Sequence, residues 1–319
     1  MYRSEVVGKQ GITARVVADS ISEQGKRITT FELEYPRFIH SEVCTHRQFS
    51  RNAMSSRAVP IKKMIEQVET SPAMPVHWGK NQPGMQAKEE HENAEACKAA
   101  WKYLAAEVAG GALALSEEGL HKQVVNRILE PFQMMKTVVT ATEWDNFFWL
   151  RHHEDAQPEF YELASCMKCA MGESVPEELE MGYYHTPYVS HMADGEGGMQ
   201  YYIDNNGKTE ILTLEEALKV SASCCAQVSY RILNNSKDKA ISIYHKLIES
   251  VPVHASPVEH QATPIEYKSG TDDEFIPFYD WPEGITHQDR NGKFWSGNFC
   301  GWIQNRQLIP NHVKESSND

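Results

Sequence analysis

The chain has 319 residues, of which 41% are hydrophobic and 24% charged, and it carries a formal net charge of −13. This composition suits a soluble globular protein with a sizeable core, while the acidic balance argues against a protein that coats a nucleic acid polymer, which needs a basic face. No apolar run reaches the ~20 residues of a membrane span, and the opening MYRSEVVGKQ holds no apolar signal segment, so the expected location is cytoplasmic.

In chain order, residues 12–47 read as strand-rich. ITARVVADS and RITTFELEY alternate apolar and polar residues around a SEQGK turn, which predicts a hairpin, and FELEYPRFIH continues as strand. The polar stretch THRQFSRNAMSSR follows at the strand end and closes at Val59–Pro60. IKKMIEQVE reads as a short amphipathic helix, and residues 71–94, with Pro72, Pro75, Pro83, Gly79 and Gly84, as loop. An alanine- and leucine-rich helical pattern runs from Asn93 to Leu129 and stops at Pro131. The next segment starts β-branched and turns helical, with Pro158 suited to the first turn of another helix. Residues 95–171 are thus the expected helical core. Residues 172–212 are rich in Gly, Tyr and Asp and end in MQYYIDNNGKTEIL, a hairpin turning at Asn205–Asn206–Gly207. Two helices follow, with Thr213 and Ser236 as caps, and then a polar tail.

The cysteines carry no framework. Seven of them (44, 97, 166, 169, 224, 225 and 300) are odd in number and scattered. Cys166 and Cys169 form a CxxC without a second pair at zinc spacing and read as neighbours in a helix core. Cys224 and Cys225 read as packing. No metal site is expected. His152 and His153 point to different sides of a helix, Trp144 and Trp149 read as core or interface, and His185 belongs to a lid or an ordered loop.

The residues that carry chemistry lie in three blocks. THRQFSRNAMSSR presents His46, Arg47, Ser50, Asn52, Ser55, Ser56 and Arg57. Arginine forks and serine hydroxyls are the usual donors for a phosphate, so Ser55, Ser56 and Arg57 are candidates for a nucleotide 5′-phosphate. NRILEP places Arg127, and TATEWDNFFWLRHHEDAQPEF places Asn146, Leu150, Arg151, Ala156, Gln157 and Glu159. The third block is CCAQVSY with Ser229 and VHASPVEHQAT with His254, Ser256 and Glu259.

These blocks resemble the flavin-dependent thymidylate synthases. The first is similar to that family's Arg-His-Arg signature with its Ser, Asn, Ser, Arg ladder, except that Thr45 replaces the first arginine and Ala53 a glutamate. In the second, Glu130 moves a proline by one residue. The third block precedes the signature in the usual family order and follows it here, so the chain resembles a circular permutation of the common form. Phe38 stands seven residues before Thr45 and Phe299 seven before Arg306, and this echo suggests a partial second copy of the signature strand in which Arg306 supplies the cation that Thr45 lacks.

The resemblance implies a single α+β domain over 1–319, ThyX-like with permuted element order: strands and signature in 1–60, a long-helix layer in 95–171, an insertion in 172–212 and the permuted segment in 213–319. It implies FAD bound by His46, Arg47, Asn52, Asn146, Ser229, His254, Ser256 and Glu259. It also implies dUMP or a related pyrimidine deoxynucleotide bound by Ser55, Ser56, Arg57, Arg127, Arg151 and Arg306, with Arg151 as the catalytic residue. Methylenetetrahydrofolate and NADPH would be co-substrates of a methyl or hydroxymethyl transfer, in a homo-oligomer. The alternative is a non-catalytic flavin- or nucleotide-binding relative acting as scaffold or regulator, motivated by Thr45 and Ala53.

Overall fold

Strands Thr13–Ser22 (β2) and Arg27–Pro36 (β3) pair antiparallel around a tight turn in which Gly25 takes a φ of +76°, a conformation open to glycine. The computed structural model describes residues 2–196, 198–205, 207–229, 236–265 and 280–314, the side chain of residue 229 excepted. The main sheet is completed by Ser4–Val7 (β1), Ser50–Ala53 (β4), Met134–Ala141 (β5) and Glu177–Leu179 (β6). Its order is β1-β2-β3-β5-β4, antiparallel throughout, with β6 running parallel to the far end of β2.

Alternation along β3 decides what covers each face. Phe31, Leu33 and Tyr35 are buried in the main core beneath a layer of helices: His40–Val43 (α1), Ile61–Thr70 (α2), Ala94–Glu117 (α3), Lys122–Ile128 (α4), Asp145–Arg151 (α5) and Pro158–Glu173 (α6). Pro158 opens α6, and Phe160, Leu163, Ala164 and Met167 face inward at helical spacing. The opposite face carries Ile28, Thr30 and Glu32. The downstream half of the chain covers it, with Leu179, Phe299 and Trp302 closing over Ile28.

That half begins with a three-stranded sheet, Ser190–Ala193 (β7), Met199–Asn205 (β8) and Lys208–Leu212 (β9). The β8–β9 hairpin is as expected, although residue 206 lies outside the described residues. Helices Leu214–Ala226 (α7) and Lys237–Ile248 (α8) pack against each other. Thr213 caps α7 in a reciprocal capping box with Glu216. The tail holds Ala262–Pro264 (β10), His287–Gln288 (β11), Phe294–Ser296 (β12), Phe299–Cys300 (β13) and Trp302–Gln304 (β14). β10 pairs antiparallel with β14, which ties the tail to the 256–259 turn.

The fold is α+β with antiparallel sheets, as expected, and three local readings change. β3 stops at Pro36, and residues 37–43 wind into a 3-10 turn and α1, so Phe38 lies in a helical turn while Phe299 lies in a strand. Proline has no N–H to extend the ladder. Cys166 is buried but Cys169 is exposed, because the edge of the α6 apolar stripe falls between them. Trp144 is buried, whereas Trp149 is 74% exposed. Among the described residues no helix is long and apolar enough to cross a membrane, and no group of three His, Cys, Asp or Glu residues gathers to hold a metal.

Candidate active site

The loop after α1 is held by a residue inside the signature. One Arg51 amino group donates to the carbonyls of Val43, Cys44 and His46 at 3.3, 2.9 and 2.9 Å. These carbonyls lie at and just after a helix end, where an arginine is favoured, and those of Val43 and His46 also accept the backbone N–H groups of His46 and Phe49 at 3.4 and 3.3 Å. Thr45 turns its hydroxyl back to the Glu42 carbonyl at 2.6 Å. His46 is thereby presented to the helical layer, where its ring stacks on Phe49 and meets Phe147 and Phe160 edge-on.

Arg151, the last residue of α5, reaches this histidine. Its Nε–H donates to His46 Nε2 at 3.0 Å, and its guanidinium lies 4.7 Å above the Phe160 ring. An imidazole nitrogen that accepts a hydrogen bond is unprotonated, which assigns the neutral ring with its proton on Nδ1. Burial, then the charges of Arg151 and Arg51, push the His46 pKa down to about 4. The first and second sequence blocks therefore meet at one point, and Arg151 keeps both terminal amino groups free of hydrogen bonds among the described residues.

The third block arrives on the other side of β4. Asn52 donates to the Cys225 carbonyl at 3.3 Å, at the end of α7, and its Oδ1 is buried without a partner among the described residues. The turns 227–229 and 256–259 both pack against β4. Gln304 donates to the Ser50 hydroxyl at 3.1 Å and to the Glu259 carbonyl at 3.2 Å, and Ser50 also bonds Asn298 at 3.2 Å. Arg306 forms an ion pair with Glu259. Each of these contacts joins residues far apart in the chain.

The remaining candidates lie around these two centres. Arg47 and Asn146 are exposed, as are His254 and Ser256. The Ser229 side chain lies outside the described residues. Ser56 is buried, and its carbonyl and that of Val59 accept from Asn126 of α4 at 2.7 and 3.0 Å. Arg57 is exposed, with its backbone N–H on the Ser55 hydroxyl at 3.3 Å. Arg127, on the same α4, pairs with Glu130 at 2.8 Å. Glu130, which displaces the family's proline, also pairs with Arg37 at 2.9 Å.

Sequence reasoning missed Arg51, the phenylalanines around His46, and the Asn298–Gln304 clamp on Ser50. Only Arg51 left a local trace, a basic residue shortly after a short helix; the others depend on contacts between distant segments.

No curated protein matches the chain. Residues 20–177, from the end of β2 to the start of β6 and including both His46 and Arg151, match the family model described as thymidylate synthase complementing protein, Thy1. The chain belongs to that family.

Proposed function

We propose that this protein is a flavin-dependent enzyme that transfers a one-carbon unit from methylenetetrahydrofolate to C5 of dUMP, or of a related pyrimidine deoxynucleotide, as a cytoplasmic homo-oligomer. Membership of the Thy1 family implies thymidylate synthesis. The observation that carries the finer reading is the Arg151–His46 hydrogen bond. It joins the signature loop to the helix end that bears the catalytic candidate.

The donor set fits a flavin nucleotide. Arg47, His254 and Ser256 are exposed donors, and Asn52 Oδ1 is a buried acceptor without a donor among the described residues; with His46, Asn146 and Ser229 they offer guanidinium, imidazole, amide and hydroxyl groups to a ring edge and a diphosphate, and Glu259 a carboxylate to an N–H or hydroxyl of the flavin. When bound, FAD supplies the hydride and NADPH restores it. The chain's own task is binding and charge stabilisation. Arg151 is oriented through Nε by His46 and backed by Phe160, so its two amino groups remain for the pyrimidine. A fixed guanidinium stabilises the negative charge that develops over the N3–O2–O4 edge as C5 is activated. Ser55, Ser56, Arg57 and Arg127 serve the 5′-phosphate. Arg306, paired with Glu259, adds to the nucleotide side by exchanging that carboxylate for the ligand.

Packing of the 227–229 and 256–259 turns on β4 supports reading 213–319 as the permuted segment of a single domain. The apolar residues that α3 and α5 leave exposed, Tyr103, Leu104 and Trp149 among them, support self-association.

Absorbance of the purified protein, before and after FAD and then dUMP, tests the reading. Flavin bands that survive gel filtration and shift with dUMP, followed by turnover with methylenetetrahydrofolate and NADPH, are expected. A colourless protein that takes up no flavin at micromolar concentration would reduce it to a scaffold or regulator.

A further inference from the structure

His185 and His260 are fully buried, and a file of hydroxyls joins them through the sheet. Ser20 Oγ lies 2.9 Å from His185 Nδ1, and His185 Nε2 lies 2.8 Å from Thr30 Oγ1. The Thr30 and Thr140 hydroxyls are 2.7 Å apart, and Thr140 Oγ1 is 2.8 Å from His260 Nδ1. Thr30 and Thr140 face each other because they are register partners on β3 and β5. His185, Thr30 and Thr140 each have one hydrogen-bonding neighbour on each side, so the file is unbroken from Ser20 to His260 and can be polarised in either direction.

Its two ends differ. Ser20 lines a cavity of about 500 Å3 with Arg3, Glu177, Ser190, His191 and Tyr202. At the other end His260 Nε2 is buried and has no partner among the described residues. His260 directly follows the 256–259 turn that packs on β4, where Asn52 Oδ1 is likewise buried and unpartnered. Buried polar atoms kept only for packing are nearly always paired, so an open nitrogen at the end of a hydrogen-bonded file marks a place where a proton is received or given.

We propose that Ser20, His185, Thr30, Thr140 and His260 form a proton conduit between the β4 side of the sheet and the cavity. The proposal rests on the thymidylate reading. Replacing the C5 hydrogen of a pyrimidine by a carbon substituent releases that hydrogen as a proton, and this file is its exit. In one polarity His260 Nδ1–H donates to Thr140, Thr140 to Thr30, Thr30 to His185 Nε2, and His185 Nδ1–H to Ser20, whose own hydrogen is left for the cavity. A proton taken up at His260 Nε2 is matched by one leaving Ser20 Oγ. Each member passes on the hydrogen it holds and keeps the one it receives, so the file reverses polarity and retains no charge. In this scheme the five are positioning and relay residues, none touching the nucleotide carbon itself.

Two measurements test it. In the full-length protein labelled with 15N-histidine, Ser20→Ala is expected to change the tautomer-sensitive nitrogen signals of His260, although two threonines and a ring separate them. Unchanged His260 signals would overturn the conduit, since a local structural role predicts that result. Thr140→Val keeps the shape and breaks the file; with dUMP tritiated at C5, release of tritium to water should fall about a hundredfold, with partial rescue by added imidazole. Release at the wild-type rate from a folded Thr140→Val protein would also overturn it. A wild-type protein that releases no tritium overturns the thymidylate reading instead, and the histidine signals still decide whether the file conducts.

Discussion

Arg151 and His46 share one hydrogen bond, Nε–H to Nε2 at 3.0 Å, and that bond links a residue at the end of α5 with the centre of the signature loop. Each depends on the other. The imidazole sets the plane of the guanidinium, and the guanidinium charge helps to keep the imidazole neutral.

Arg151→Lys keeps the charge and loses the planar fork. Turnover with dUMP should fall about 100-fold or more, in the range seen when one preorganised donor is removed from a developing anion. Arg151→Gln removes the charge, so the His46 pKa should rise from about 4 toward 6.5, stopping short because burial is the larger cause. Steady-state kinetics and histidine NMR check the two parts.

Acid should weaken the fold in a defined window. Burial lowers His185 well below its ordinary value, His260 to about 3 and His46 to about 4. Because these folded-state values lie below 6.5, the unfolded chain binds protons first as the pH falls. Their contribution is complete above about pH 6.5 and is lost progressively as the pH falls toward 3. Glu177, held near 2 by His191 and Arg3 against the opposing effect of burial, adds a second loss between about 4.5 and 2. Melting temperature should therefore be insensitive to these groups from pH 7 to 8 and decline below 6.5.

Asn126→Ala should destabilise the protein by about 1–3 kcal/mol, measured by urea unfolding. Its amide is fully buried and supplies the hydrogen bonds to the Ser56 and Val59 carbonyls, so the loss also loosens the turn that presents Arg57.

Leu104→Glu should shift the particle mass toward that of one chain in sedimentation or light scattering. Leu104 is 52% exposed and its neighbour Tyr103 64%; a charge there is tolerated by a monomer and costly in an apolar contact between copies. An unchanged mass would place the contact elsewhere.

Elements with a strong local signal were legible in the sequence. The β2–β3 hairpin followed from alternation and a glycine turn, α6 from Pro158, and the start of α7 from Thr213 as its cap. β4 was not legible, because it is a four-residue polar edge strand whose pairing is supplied by β5. The same holds for β6 and the two- and three-residue strands of the tail, which exist only through tertiary pairing. The helical core was read from composition, yet α3 buries only Ala105, Ala109 and Ala112; an apolar helix looks alike in sequence whether it faces its own sheet or another surface. At the site, the residue types of the signature were readable, but the clasp of Arg51 and the file from Ser20 to His260 join segments that no local pattern connects.

The clamp on Ser50 has a consequence for the order in which the molecule matures. Asn298 and Gln304 hold the signature strand, and β14 closes over the 256–259 turn. During synthesis the chain emerges from its N-terminus, so the sheet and its helical layer are available long before these residues leave the ribosome. The signature strand thus waits, without its Ser50 clamp, until Asn298 and Gln304 have been made. A nascent chain cut short before Phe294 carries the motif without the surface that completes it.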